Sequence, residues 1–77
     1  MEKPKIKSYQ YLVGQCELKT GIVLKTDKTY YSQKGEAYLV FDSKELAIQF
    51  VEKRVNENPE IECWIESSTG QLVLIIT

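Results

Sequence analysis

Two thiols, Cys16 and Cys63, are the only soft nucleophiles in this 77-residue chain, and the sequence holds no histidine to convert either into a thiolate. Histidine is also the commonest general base near neutral pH and the commonest metal ligand. The thiols stand far apart in no C-x-x-C spacing, which argues against a zinc or haem site. Cys63 shares one face of an alternating segment with Ile61 and Ile65 and reads as a small buried hydrophobe. Cys16, beside what reads as a Gly14-Gln15 turn, is expected to be the more exposed thiol.

Paired carboxylates run acid–base chemistry without histidine. Glu60, Glu62 and Glu66 gather around Trp64, but a solvated strand face looks the same, and so short a chain leaves little room for a cleft beside it. The glycines stand singly, with no Walker A loop, dinucleotide fingerprint or EF-hand loop. The expectation is therefore no catalytic residue, no cofactor and no metal ligand.

Two binding chemistries remain. Lys5, Lys7, Tyr9, Tyr11, Lys25, Lys28, Tyr30 and Tyr31 combine cationic heads with stacking faces, the composition that single-stranded nucleic-acid binding uses. A pI near 5.4 and the lack of an RNP-type motif count against that reading. Charge is divided along the chain: residues 1–34 carry seven lysines against three acids, and residues 35–77 carry three cations against eight acids. Opposite halves of this kind attract, giving a mixed surface in the folded chain. Arg54 falls inside an otherwise apolar helical arc, where it either snorkels past the core towards Glu60 or Glu62 or anchors an acidic partner.

The elements that must position these residues follow from periodicity. Asp42 with Glu45 reads as a capping box, with Phe41 and Leu46 as a hydrophobic staple, so a helix is predicted over about 43–57. Leu46, Ala47, Ile48, Phe50, Val51 and Val55 form its apolar face. Asn56-Glu57-Asn58-Pro59 ends it, through the restriction before proline and a left-handed asparagine. Ile61–Glu66 and Gln71–Ile76 read as a hairpin closed by Ser67-Ser68-Thr69-Gly70. Before the helix, strands are expected around Tyr9–Val13, Cys16–Leu18, Ile22–Lys25, Thr29–Ser32 and Glu36–Phe41, the last led in by Gln33-Lys34-Gly35.

The fold class is α+β: a small, mainly antiparallel sheet of about five or six short strands with one helix on one face, in the order strands, helix, hairpin. Residues 1–8 read as a basic, partly disordered arm and 9–77 as a single domain. The longest apolar run, Leu72–Ile76, is far shorter than the ~20 residues a membrane span needs, and Met1–Lys5 lacks a signal-peptide core. A cytoplasmic protein with reduced thiols is expected.

The stretch Val40–Phe50 resembles the strand-to-helix junction common in small bacterial and phage proteins, a capping pattern that identifies no family. Some phage-encoded inhibitors and toxin-immunity proteins are similar in scale, in their single helix on a sheet and in lacking catalytic residues. The functional expectation is a non-enzymatic protein–protein interaction module of inhibitor, immunity or regulatory type, its partner another protein or a second copy. Nucleic-acid binding through the Lys/Tyr half is the alternative. One helix covers only one side of a sheet: Ala37, Leu39 and Phe41 are expected to point towards it, and Tyr38, Val40 and Trp64 away, joined from the last strand by either Val73 and Ile75 or Leu72, Leu74 and Ile76. This second side is the expected interface, with Val73 and Ile75 as candidates, unless the N-terminal strands fold over and bury it within the monomer.

Overall fold

In the computed structural model, which describes residues 3–32 and 36–77, the elements are β1 (Tyr11–Glu17), β2 (Val23–Leu24), β3 (Leu39–Phe41), α1 (Lys44–Glu57), β4 (Ile61–Glu66) and β5 (Leu72–Ile76). The expected α+β class holds: one five-stranded sheet with every strand pairing antiparallel, and the helix between β3 and the β4–β5 hairpin. The expected lead-in Gln33-Lys34-Gly35 and the first two residues of the basic arm lie outside the described residues.

β1 is the centre of the sheet. One of its edges pairs with β4 from Leu12 to Glu17, while β3 and β2 share the other, β3 opposite Tyr11–Val13 and β2 opposite Gln15–Cys16. The strand therefore runs unbroken through Gly14-Gln15, correcting the expected turn. The glycine serves a close approach, since a Cβ there would collide with the Trp64 indole. Thr29–Ser32 keeps only a bridge from Tyr30 to Leu24. Between them Lys28 takes the left-handed conformation (φ 72°) that a glycine would adopt without strain.

The helix begins one residue later than the capping box implies. Ser43 is the N-cap, its hydroxyl accepting from the Leu46 N–H at 3.2 Å, while Asp42 accepts from Gln10 Nε2 at 2.9 Å. The shift moves Leu46 out of staple position and leaves it exposed; Phe41 packs instead on Phe50, ring centroids 5.2 Å apart. At the other end Asn58 is extended, so the restriction imposed by Pro59 ends the helix without a left-handed residue.

Ala47 and Val51 press α1 onto Val13, Ile61, Cys63, Ile65 and Leu24, with Leu39, Phe41, Leu74 and Ile76 around the margin. The opposite side of the sheet carries a second, smaller core, in which Leu12, Ala37 and Tyr38 are buried with Ile6, Val23, Tyr31 and Trp64 packed against them. Irregular chain before β1 and before β3 covers this side. Lys3 Nζ donates to Glu66 Oε1 at 2.5 Å, Trp64 Nε1 donates to Glu66 Oε2 at 2.9 Å, and Tyr38 meets Trp64 edge to face. Among the described residues no helix is long and apolar enough to cross a membrane.

Candidate protein-binding surface

Among the described residues β5 pairs only with β4, so its outer edge presents N–H and C=O groups with no described strand beside them. Its sequence, Leu72-Val73-Leu74-Ile75-Ile76, carries none of the charges or prolines that protect natural sheet edges. Register decides the faces. Leu74 and Ile76 oppose Ile65 and Cys63 and join the helix side; Ile75 opposes Trp64 and Leu72 opposes Glu66 on the other side. A register shift at Ile65/Glu66 lets two residues three apart share that side. Leu72 and Ile75 are 53% and 51% exposed.

The expected interface set is thus only partly brought together. Ile75 is exposed on the expected side, and Val40 is exposed on β3 at the opposite edge. Tyr38 is buried and Trp64 half-buried in the second core, because irregular chain folds over the centre of that face. Val73 is corrected to the helix-side core, against which it packs, and Leu72 takes its place; strict alternation hides the shift. Ala37, expected beneath the helix with Leu39 and Phe41, lies with Tyr38 in the second core since it precedes the regular strand.

The Lys/Tyr set does not share one surface. Lys5, Lys7 and Tyr9 lie ahead of β1, and Tyr11 at its first residue packs on the helix-side core. Lys25, Lys28 and Tyr30 belong to the hairpin that leaves its far end, where the Tyr30 hydroxyl donates to Glu17 Oε2 at 2.7 Å and Lys25 faces Asp27 at 3.8 Å. The hydrogen bond to the Glu17 carboxylate holds the Tyr30 phenol above its ordinary pKa. Tyr31 packs into the second core.

The three glutamates are also dispersed. Glu66 is buried under Lys3 and Trp64, Glu62 stands beside Cys16, and Glu60 is exposed after the helix. Among the described residues no group of three or more Cys, Asp or Glu could hold a metal ion. The two free thiols occupy opposite faces, because Cys63 opposes Gln15 and Cys16 is the next residue along. Burial pushes the Cys63 thiol up to about 11; burial, then Glu62, raises Cys16.

Among the described residues Arg54 pairs with no carboxylate, neither Glu60 nor Glu62. It is buried, and its Nε donates to the side chain of Gln15, itself 1% exposed, at 2.8 Å. Sequence reasoning missed Gln15, although the signal was present: a polar residue continues the inward row Tyr11, Val13 just where a cation interrupts the helix's apolar arc. Nor is the chain too short for clefts, since one of about 370 Å³ opens beside Arg54. No family model matches the sequence, and no curated protein or solved structure matches the chain.

Proposed function

We propose that this chain is a protein-binding module that works by strand addition at β5, and that the partner is a second copy of itself. The observation that carries the reading is an outer sheet edge that is uncharged, unprotected and flanked by the exposed side chains of Leu72 and Ile75. Main-chain hydrogen bonds supply affinity in such pairing, and alternate side chains supply fit. Antiparallel pairing of two identical strands satisfies a two-fold axis, which makes an uncharged β5 complementary to itself. The division of the lysines and tyrosines between two ends of the sheet offers nucleic acid no comparable track.

Amide hydrogen exchange tests the reading. In a dimer the outward N–H groups of β5 exchange slowly, and dilution speeds them while leaving the β1 amides unchanged. Fast exchange of those outward groups at every concentration would refute self-pairing.

A further inference from the structure

Arg54 is a buried cation with an incomplete set of partners. It is 7% exposed, and its Nε is fixed by Gln15. Among the described residues no carboxylate lies within ion-pair distance of it, and its terminal amino groups make no hydrogen bond. No buried side-chain nitrogen or oxygen there lacks a partner, so those amino groups are the part of Arg54 that reaches solvent. Arg54 lines a cleft of about 370 Å³, whose walls also include Lys28, Thr29, Tyr30, Asn58, Glu17 and Glu60. A guanidinium held along one edge and open along the other is preset to take a carboxylate through two parallel hydrogen bonds.

The walls narrow the ligand further. Arg54 and Lys28 are offset by Glu17 and Glu60, so the cleft has no net field to hold a multiply charged anion. A molecule carrying one charge of each sign uses all four groups, and the volume lies within the usual range for small-ligand sites. We propose that the cleft binds a small zwitterion of amino-acid size, its carboxylate on Arg54 and Lys28 and its ammonium facing Glu17 and Glu60. The site lies beside β2, at the edge of the sheet away from β5, so it stands or falls separately from strand addition.

Nuclear magnetic resonance titration of the intact chain with alanine, acetate, methylammonium and inorganic phosphate tests the proposal. Alanine should shift the Arg54 Nε–H and the Thr29 and Tyr30 amides saturably, with a Kd of ~0.1–10 mM, and the other three probes should bind more weakly. Arg54→Lys keeps the charge and loses the fork, and should weaken alanine by ~10-fold or more. Lys28→Gly removes an ammonium while relieving a left-handed lysine, so it weakens binding in a chain that still folds. No saturable shift, tighter binding of phosphate or acetate than of alanine, or unchanged affinity in Lys28→Gly would each overturn the assignment.

Discussion

The Trp64 indole fills the space that a side chain on Gly14 would need. The two residues oppose each other in the β1–β4 register, so a central strand gives up a side chain to admit a large ring from its neighbour. From there the second core extends outwards: Trp64 meets Tyr38 and donates to Glu66, and Glu66 accepts from Lys3.

Gly14→Ala should therefore destabilise the fold by ~1–3 kcal/mol, the cost of forcing an extra group into a packed core, despite alanine's lower chain entropy. Urea unfolding followed by tryptophan fluorescence reads both the loss and the displaced indole. An unchanged midpoint and spectrum would mean that the ring does not rest on Gly14.

The pair formed by Gln15 and Arg54 makes a second prediction. Gln15→Leu leaves a buried guanidinium without its acceptor and should cost ~1–3 kcal/mol. Replacing both partners, with Gln15→Leu and Arg54→Met, should cost less than the two single changes added together, since apolar groups need no partner. A double-mutant cycle measured by denaturant unfolding gives the coupling, and strict additivity would contradict the pairing.

The helix cap distinguishes neighbouring residues. Ser43→Ala should cost ~0.5–2 kcal/mol, whereas Asp42→Ala, which loses only an exposed bond to Gln10, should stay within ~0.5 kcal/mol. Thermal unfolding of the two variants side by side checks the order.

Alkaline pH should weaken the fold. Burial holds Cys63 at about 11 against an ordinary 9.0, so above pH 9 the unfolded chain loses this proton first and stability falls, by about 2–3 kcal/mol at pH 11. Cys16, Tyr38 and Lys3 are shifted upwards too, the first two chiefly by burial and Lys3 by its hydrogen bond to Glu66, and all three act in the same direction. Urea midpoints from pH 8 to 11 should fall, and the Cys63 thiol should resist alkylation in the folded chain.

The fold was legible where local chemistry decides it. The apolar arc from Ala47 to Val55 and the Ser67–Gly70 turn, with Gly70 at φ 82°, are set by side chains close to one another in the chain. Three features were hidden because long-range packing decides them. Gly14 looks like a turn until Trp64 is placed over it, the sides taken by Leu72 and Val73 stay open until the register shift is known, and nothing local announces that Ile6 packs with Leu12, Ala37 and Tyr38. At the proposed surface, the side taken by Trp64 was readable by alternation from Ile61, Cys63 and Ile65, while the side of Ile75 waits on the register and the burial of Tyr38 was hidden because irregular chain carries no periodic signal.

Light scattering across a concentration series, on the parent chain and on Ile75→Lys, tests self-pairing through β5 most directly. Ile75 is half exposed, so the lysine leaves the monomer folded and places on the strand the charge that natural sheet edges use to block pairing. The parent should approach twice the 8.9 kDa chain mass as concentration rises, and the variant should remain at the chain mass. A parent that stays monomeric throughout, or a variant that associates as strongly as the parent, would contradict it.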